Sequence, residues 1–233
     1  MLKKVRDKLH SLRASPLARD VRRRRLTYLG FDALADLERA VARVEAQGIA
    51  GAIIEAGCAL GGSTVVIAAA KTRERPLRVY DVFGMIPPPS EADGADIHAR
   101  YATIVEGKSA GIGGDRYYGY EENLRDRVAS TLTEFGYDPA ANRIELIQGL
   151  FQDTMQVSGP VALAHVDADW YESVMTCLQR IVPHLAPGGT LVIDDYDHWS
   201  GCRKAVDEYF ADKRGEYTFV RRARLQIVRN PPT

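Results

Sequence analysis

The sequence predicts an α/β fold: a doubly wound, mostly parallel sheet finished by a C-terminal antiparallel hairpin. From residue 51 onward, short apolar runs alternate with segments of helical spacing, which is typical of a parallel sheet covered by helices on both faces. The predicted parallel strands are residues 51–57, 76–83, 143–149, 161–167 and 189–195. Two further apolar runs, 216–220 and 224–230, are separated by only a few residues, so only an antiparallel hairpin can connect them.

Segments of helical spacing lie between these strands. The predicted helices are residues 63–71, 122–136, 171–185 and 202–213. A chain of 233 residues is long enough for one such domain with additions. We expect a basic helical arm over residues 1–48, an α/β domain over residues 49–233, and an insertion at 84–120. The insertion follows the second strand, at the sheet edge where such folds bind ligands, and this position favours a substrate lid.

The formal net charge of zero hides an asymmetry between the two ends of the chain. Residues 1–25 hold ten Lys and Arg against two Asp, a local charge of +8, so residues 26–233 carry −8. One interpretation is a basic arm that binds an acidic partner or a membrane surface. We favour a solvated helix whose apolar face packs on the body or on a second subunit of a homo-oligomer. That face comprises Leu2, Val5, Leu9 and Leu12.

Composition argues against several classes of protein. The run VRRRR at 21–25 is short and lacks interleaved aromatic residues, so we expect no nucleic-acid partner. The three cysteines are far apart, which predicts neither a disulfide framework nor a zinc site and suits a reducing cytoplasm. No apolar run of a signal peptide follows the charged start. The apolar stretch 49–70 contains Glu55 and four glycines, so we expect no transmembrane segment.

The turn after the first strand, EAGCALGGST at 55–64, has the features of a nucleotide-binding turn. Gly57 and Gly61 allow a close approach of backbone to ligand, and the helix start near Ser63 offers N–H groups to a carboxylate or phosphate. The glycine spacing differs from the G-x-G-x-x-G pattern of NAD-binding turns. Glu55 would attract a ligand ammonium; its alternative role is a helix-capping acid. S-adenosylmethionine (SAM) carries both an ammonium and a carboxylate, which favours SAM over NAD.

Asp81 follows the second strand, where an acid accepts hydrogen bonds from the ribose hydroxyls of a bound nucleoside. This role is common to NAD and SAM sites and does not distinguish them. We expect Val82 and the loop after the third strand, with Gly149 and Phe151, to enclose the adenine. For Phe151, a place in the hydrophobic core is an equal alternative.

Paired acids end the fourth and fifth predicted strands. Asp167 ends the fourth, in AHVDADWYESV at 164–174, and Asp194 and Asp195 end the fifth. The carboxyl ends of these neighbouring strands open onto one crevice, where three carboxylates repel one another unless a cation lies among them. Oxygen ligands with no His or Cys nearby suit Mg²⁺ or another hard divalent cation. We therefore predict that Asp167, Asp194 and Asp195 bind a metal.

Asp169 lies two residues beyond Asp167, in the turn, and we predict that it acts as a general base. A hydroxyl near the pKa of water, ~15.7, is mismatched with a carboxylate near ~4 by ~16 kcal/mol. A metal that lowers the hydroxyl pKa to ~7 reduces that gap to ~4 kcal/mol. The alternative is that Asp169 caps the helix that begins at Tyr171. Capping would explain Asp169 alone and not the other acids.

These motifs resemble the macrocin O-methyltransferase family, which includes macrolide-sugar and novobiocin-sugar methyltransferases. HVDADWYES at 165–173 and LAPGGTLVIDDYDHWSGCRKAVDEYF at 185–210 carry the most specific part of the resemblance. IIEAGCALGGST at 53–64 and VYDVFGMIPP at 79–88 resemble its cofactor motifs, and GLFQDTM at 149–155 resembles its segment after the third strand. The similarity runs from about residue 26 to the end.

The resemblance implies a class I, Rossmann-like SAM-dependent methyltransferase domain over residues 49–233 that uses Mg²⁺ to methylate sugar hydroxyls. It also implies that the metal ligands are Asp167, Asp194 and Asp195 and that the base is Asp169. Trp170 departs from the family, which often has an aliphatic residue or Met there. The insertion also looks longer and richer in Tyr than in the antibiotic enzymes, so no particular antibiotic sugar is expected.

The sequence therefore predicts a cytoplasmic O-methyltransferase that acts on a sugar hydroxyl of a glycoside, natural product or polysaccharide. Tyr117, Tyr118 and Tyr120 either stack on that sugar or pack the lid onto the body. A catechol-like phenol is a rival acceptor, because it also offers two adjacent oxygens to a metal. An NAD-dependent sugar oxidoreductase or epimerase would require a catalytic Tyr-x-x-x-Lys pair, which we do not expect here, and no converging acids. A non-enzymatic binding module would not require intact cofactor and metal motifs.

Overall fold

The structure is a computed structural model that describes residues 14–231. Its strands are β1 Ala52–Ala56, β2 Leu77–Asp81, β3 Ile144–Gln148, β4 Val161–Val166, β5 Leu185–Ile193, β6 Tyr217–Arg221 and β7 Leu225–Arg229. In the described part of the chain they form one sheet in the order β3-β2-β1-β4-β5-β7-β6. Strands β1 to β5 are parallel, and β7 is antiparallel to both β5 and β6. The predicted doubly wound sheet with a terminal hairpin is confirmed.

Helices cover both faces of the sheet. They are α1 Pro16–Arg23, α2 Phe31–Ala46, α3 Gly62–Ala70, α4 Ala95–Val105, α5 Leu124–Glu134, α6 Phe151–Thr154, α7 Tyr171–Ile181 and α8 Ser200–Tyr209. Short 3₁₀ helices lie at Ile112–Gly114, Tyr118–Tyr120, Val182–His184 and Arg214–Glu216. Of the helices in the described residues, none combines the length and apolar character needed to span a bilayer.

The sheet order places a crevice where the ligand site is expected. The chain runs outward from β1 to β3 in one direction and from β4 to β5 in the other. The carboxyl ends of β1 and β4 lie side by side, since Ala56 pairs with Val166. In open α/β sheets, ligands bind at such a reversal of strand order. All six residues of β4 are buried, which gives this edge a rigid support.

Two local predictions differ from the structure. The helix predicted over 171–185 ends at Ile181, and β5 begins at Leu185 rather than at residue 189. The reason is that Leu185 already pairs with Val161 of β4, across a shift in register. Within the insertion 84–120, the unpredicted helix α4 buries Ile97 and Ile104. The assignment of this insertion as a lid stays a prediction.

The described part of the N-terminal arm packs into the body. Val21 of α1, Leu34 of α2 and Val65 of α3 belong to one hydrophobic cluster. The helices α1 and α2 therefore complete the core on one face of the sheet. A domain boundary at residue 48 stays a prediction, and the apolar face predicted at residues 2–12 lies outside the described residues.

A nearly buried ion pair fixes α2 to the start of the sheet. Arg75 Nε lies 2.6 Å from Glu45 Oε1, and the two side chains are only 11% and 15% exposed. The Arg75 guanidinium also donates to the carbonyl oxygens of Ile49, at 2.9 Å, and Gly51. One side chain thus satisfies three groups that join α2 to β1.

We predict that Arg75→Gln lowers the free energy of unfolding by about 2–3 kcal/mol, because it leaves a buried carboxylate and two carbonyls without their partner. Urea denaturation followed by circular dichroism measures this change. The matched control is Arg23→Gln, which removes an arginine that is 78% exposed from its pair with Asp20 and should cost less than about 1 kcal/mol. Equal losses in the two variants would contradict the prediction.

Candidate active site

Two adjoining cavities lie at the carboxyl ends of β1, β2 and β4. The smaller has a volume of about 60 Å³ and is lined by Val82 and Phe151. The larger has a volume of about 360 Å³ and is lined by Arg100 and Trp199. Both cavities share Gly57, Asp81, Tyr118, Asp167 and Asp169. The shared residues mark the place where ligands in the two cavities would meet.

Asp81 organises the turn after β1 from the end of β2. It is 6% exposed and accepts hydrogen bonds from the backbone N–H groups of Cys58, at 2.8 Å, and Phe83, at 2.7 Å. The N–H of Ala59 makes a longer bond of 3.3 Å. Burial raises the pKa of Asp81, although these backbone bonds oppose the shift. A carboxylate has about four acceptor positions, so capacity remains for a ligand hydroxyl; ribose binding stays a prediction.

Val82 and Phe151 reach the smaller cavity, the place predicted for residues that enclose an adenine. Phe151 is half-buried and also packs against the core, so the structure is compatible with either interpretation of this residue. Gly61, Ser63 and Gly149 line neither cavity. Adenine binding itself stays a prediction.

Gly57 allows β1 and β4 to approach each other at the crevice. Its φ is +84°, and a Cβ atom at this position would lie 1.8 Å from the carbonyl oxygen of Asp167. A side chain would therefore separate the turn after β1 from the acidic turn after β4. The glycine predicted to allow close ligand approach also allows the two halves of the site to touch.

Glu55 is not brought to either cavity, contrary to its predicted role. It is fully buried in β1, where one oxygen accepts a 2.5 Å hydrogen bond from the Thr64 hydroxyl. The other oxygen lies 3.1 Å from His165 Nδ1. A direct contact with a ligand ammonium does not fit, because one oxygen faces Thr64 of α3 and the other faces His165 of β4. At the start of α3, the N–H of Gly62 is also occupied, since it donates to Leu26 O at 3.0 Å.

The predicted acids do converge at the crevice. Among the described residues, ligand atoms of Asp167, Asp169 and Asp195 lie within 4.8 Å of one another. A second group with the same spacing comprises His165, Asp167 and Asp194. Asp195 Oδ2 is buried and has no hydrogen-bond partner. Leaving a buried carboxylate oxygen unsatisfied is costly, so this atom indicates a site for a cation or ligand.

The crowding of these carboxylates favours a positive charge among them. Burial and the negative charges of Asp194 and Asp169 raise the pKa of Asp167 well above its usual value. Burial and the charges of Asp169 and Asp167 do the same to Asp195. Burial raises the pKa of Asp169 to about 6. Each shift shows that the ionised form lacks compensation from the protein.

Asp194 differs from the other acids because it already has a cationic partner. Arg224 Nε lies 2.7 Å from its Oδ1, and His165 Nε2 lies 3.8 Å from the same oxygen. Burial by itself would raise the pKa of Asp194, but the nearby His165 and the charge of Arg224 lower it overall. The expectation that no His lies near the acids is therefore wrong.

The donor set fits a hard divalent cation, with one difference from the predicted ligands. Asp167, Asp169 and Asp195 gather carboxylate oxygens of the kind that Mg²⁺ prefers, and Asp195 Oδ2 has no hydrogen-bond partner. Among the described residues, the group made only of carboxylates thus contains Asp167 and Asp195, but its third member is Asp169, whereas Asp194 is paired with Arg224. Metal binding by Asp167, Asp194 and Asp195 stays a prediction and would require Asp194 to loosen its contact with Arg224.

Asp169 occupies a strained turn and does not cap α7. Its φ is +53°, a left-handed conformation that a non-glycine residue adopts at a cost. The N–H of Tyr171, at the start of α7, donates instead to Asp93 Oδ1 at 2.7 Å. The helix-capping alternative for Asp169 is therefore wrong. Asp169 lines both cavities, and its role as a general base stays a prediction.

The insertion 84–120 is bonded to the helices that follow the acidic strands. The indole N–H of Trp170 donates to Pro87 O at 2.8 Å, and the N–H of Ser200 donates to Asp96 Oδ2 at 3.1 Å. Trp170 also lines the larger cavity and contacts Trp199 edge-to-face, with 6.2 Å between ring centroids. The residue that departs from the family therefore joins the insertion to the cavity floor.

The three tyrosines of the insertion have different roles. Tyr117 and Tyr118 line the larger cavity, with 4.5 Å between their ring centroids. Tyr120 lines neither cavity, and its hydroxyl donates to Ile104 O at 2.6 Å. Stacking on a ligand is thus open to the first two, while Tyr120 packs the insertion together.

Several site residues were not predicted from the sequence. They are Tyr28, Arg100, His165, His198, Trp199 and Arg224. The sequence held a signal for Arg224, since it begins the second strand of the predicted hairpin. In the structure the next residue, Leu225, pairs with Ile193, directly before the paired acids. A polar residue inside the apolar run of β4 was the corresponding signal for His165.

The motif expected of a sugar oxidoreductase is not part of this site. Tyr209 and Lys213 have the Tyr-x-x-x-Lys spacing, at and beyond the end of α8. The Lys213 ammonium lies 5.0 Å from the ring centroid of Tyr209, and neither residue lines either cavity. This spacing therefore gives no support to NAD chemistry at the crevice.

Comparison with known proteins places this site in a family. Residues 3–218 match the macrocin-O-methyltransferase (TylF) family. The chain is 30% identical to the 8-demethyl-8-(2,3-dimethoxy-alpha-L-rhamnosyl)-tetracenomycin-C 4'-O-methyltransferase of Streptomyces olivaceus, over 82% of this chain and 68% of that protein. It is 26% identical to the demethyldecarbamoylnovobiocin O-methyltransferase of Streptomyces niveus, over 79% of this chain and 68% of that protein.

Solved structures agree on the fold. The O-methyltransferase NovP superposes with a TM-score of 0.69 at 24% identity, over 89% of this chain and 83% of that one. The O-methyltransferase TomG from Streptomyces achromogenes, solved in complex with SAM, gives a TM-score of 0.56 at 15% identity, over 96% and 90% of the two chains.

The sheet order is that of class I SAM-dependent methyltransferases, and the family match and the curated relatives define an enzyme of that class. More narrowly, the chain belongs to the macrocin O-methyltransferase family. The predicted family, fold class and enzyme class are confirmed. This membership supports neither the NAD-dependent alternative nor a binding module without activity.

We predict that Gly57→Ala abolishes binding of S-adenosylhomocysteine, because the new Cβ would overlap the carbonyl oxygen of Asp167 and push the two turns apart. Isothermal titration measures the binding. The matched control is Gly107→Ala: its φ of +72° imposes a similar backbone strain, but a Cβ there meets nothing within 4 Å. The control should lose only about 1 kcal/mol of stability and bind normally. Normal binding by Gly57→Ala would contradict the prediction.

Proposed function

We propose that this protein transfers a methyl group from SAM to a sugar hydroxyl, with Asp169 as the general base and a hard divalent cation as cofactor. The observation that supports the proposal most strongly is the unpartnered Asp195 Oδ2 within a group of three carboxylates. Two of those carboxylates, Asp167 and Asp169, line both the smaller cavity and the larger one. The adenine of SAM would lie in the smaller cavity near Val82 and Phe151, with its ribose near Asp81, and the rest of SAM would extend into the larger cavity beside the acceptor.

Asp167 and Asp195 would hold the cation, with Asp194 as the third predicted ligand. The bound cation would supply a positive charge that lowers the pKa of an acceptor hydroxyl. The protein's own contribution is to hold these oxygens at the ends of two paired strands, while Arg224 pairs with Asp194. The bound cation would also stabilise the ionised forms of Asp167 and Asp195, whose pKa values are raised by burial and by neighbouring acids.

Asp169 would accept the proton that the acceptor hydroxyl loses. Its carboxylate reaches both cavities, so it lies beside the point where methyl donor and acceptor meet. The constrained turn at φ +53° holds it there, and Asp93 leaves it free by capping α7 in its place. Much of the rate would come from orientation, since the sulfonium of SAM is already a strong methyl donor.

The sugar acceptor is inferred from the relatives and from the walls of the larger cavity. The named relatives include a methyltransferase of a rhamnosyl-tetracenomycin and a methyltransferase of mycinamicin III. The aromatic rings of Tyr118, Trp170 and Trp199 line the larger cavity beside the acids. Rings and carboxylates together suit a polar, stackable acceptor. Which hydroxyl is methylated, a cytoplasmic location and a homo-oligomeric state stay predictions.

The direct test is methyl transfer. We expect mass spectrometry to show methylation of methyl α-L-rhamnoside or TDP-L-rhamnose by SAM with Mg²⁺, and none with EDTA. Catechol is the contrasting acceptor, since it also offers adjacent oxygens. Methylation of catechol alone would replace the sugar by a phenol, and metal-independent transfer would remove the cation from the proposal.

We predict that Asp169→Asn lowers kcat by about 10²–10⁴-fold, because the amide cannot accept the proton from the acceptor. Affinity for S-adenosylhomocysteine should stay unchanged, which a parallel titration checks. The matched control is Asp212→Asn, an aspartate 80% exposed on the surface, which should keep full activity. Full activity in Asp169→Asn would assign the base elsewhere.

We predict that Mn²⁺ raises the melting temperature of the wild-type protein by about 5–10 °C at a hundredfold excess over Kd, through preferential binding to the folded state. Asp195→Asn should lose this shift, because it removes the unpartnered carboxylate oxygen. Asp212→Asn again serves as the control. Identical melting of wild-type protein in Mn²⁺ and in EDTA would contradict the metal site.

A further inference from the structure

Arg100 is a cationic residue of the larger cavity to which the chemistry above gives no role. It lies on α4, and its guanidinium stands 5.5 Å from the ring centroid of Tyr117. Its charge acts on Tyr28 and Asp169, so the guanidinium lies near the acids and near the cavity wall. Yet within residues 14–231, no hydrogen bond or ion pair joins the Arg100 side chain to the protein.

The other cations of the cleft have acidic partners of their own, if the proposed function is correct. His165 is paired with Glu55, and Arg224 is paired with Asp194. The divalent cation would lie among Asp167, Asp169 and Asp195. Among the described residues, Arg100 is left without an acid at ion-pair distance, in the wall of the cavity proposed for the acceptor.

The chemistry of the arginine side chain indicates what would use this charge. A guanidinium presents a planar fork of N–H donors that matches a carboxylate or a phosphate. The ring of Tyr117 supports Arg100 by a cation–π contact, which leaves the donors of the fork without a protein acceptor. The side chain is half-buried, so its interaction with an anion is screened less than on an open surface.

We propose that the acceptor carries an anionic group, a carboxylate or a phosphate attached to the methylated sugar, and that Arg100 binds this group. The inference rests on the proposed function and adds the substrate class to it. A carboxylate would come from a uronic acid, and a phosphate would come from a sugar phosphate or nucleotide sugar. Arg100 would then determine specificity by orienting the sugar relative to Asp169, without taking part in the proton transfer.

Three probes with the same glucose ring separate these sources. They are methyl α-D-glucopyranoside, methyl α-D-glucopyranosiduronic acid and α-D-glucose 1-phosphate. Each is titrated by saturation-transfer NMR into the protein held with S-adenosylhomocysteine and Mg²⁺. The variants are Arg100→Gln, Arg100→Lys and, as the matched control, Arg180→Gln, which alters an exposed arginine in the last turn of α7.

We expect at least one anionic probe to bind about tenfold more tightly than the neutral glucoside, as one charge-assisted bidentate contact provides. Arg100→Gln should remove this preference and leave affinity for the neutral probe unchanged. Arg100→Lys should retain part of it, and Arg180→Gln all of it. The stronger of the two anionic probes identifies the carboxylate or the phosphate as the ligand group.

Two results would overturn the proposal. One is that neither anionic probe binds the wild-type protein more tightly than the neutral glucoside does. The other is an equal weakening of all three probes by Arg100→Gln, which would make Arg100 a counter-charge to the acids. Two preceding checks separate these failures from a failure of the proposed function. Loss of S-adenosylhomocysteine binding would remove the methyltransferase chemistry itself, and methylation of catechol alone would remove the sugar acceptor.

Discussion

Mutual repulsion among the carboxylates at the ends of β4 and β5 is the constraint on which the rest of the site depends. Asp167, Asp169 and Asp195 are gathered closely enough to share one ion, and the ionised form of each is destabilised by burial and by its neighbours. A fold that only needed stability would place apolar side chains here. We therefore interpret these three acids as a site that a bound positive charge completes.

The protein neutralises one end of this cluster and leaves the other open. Arg224 from the hairpin and His165 from β4 both approach Asp194. No group in the described chain does the same for Asp195 Oδ2. The antiparallel hairpin thus has an electrostatic as well as a structural role, since it carries Arg224 to the edge of β5. The uncompensated negative charge of the cluster therefore lies at Asp195 and its neighbours, on the side of the cavities where cofactor and acceptor would lie.

The sequence alone predicted the sheet, because alternating apolar and helical segments leave few topologies and the short final connection demands a hairpin. It also predicted the convergence of the acids, since parallel strands present their carboxyl ends at one edge. It failed for Glu55, because a strand-end acid looks the same in sequence whether its carboxylate faces a ligand or, as here, Thr64 of α3 and His165 of β4. Arg100 was missed because α4 lies in an insertion without a clear periodic pattern, so its contact with the cavity depends on tertiary packing.

The most direct test of the metal site is a crystal structure of the protein with S-adenosylhomocysteine and Mn²⁺, using the anomalous signal of manganese. Occupancy of the acidic cluster predicts one strong anomalous peak within about 2.2 Å of carboxylate oxygens of Asp167 and Asp195. The third aspartate at that peak, Asp194 or Asp169, decides whether the ion displaces Arg224. A complex with nucleoside bound and no peak among these acids would contradict the central role given to the cation.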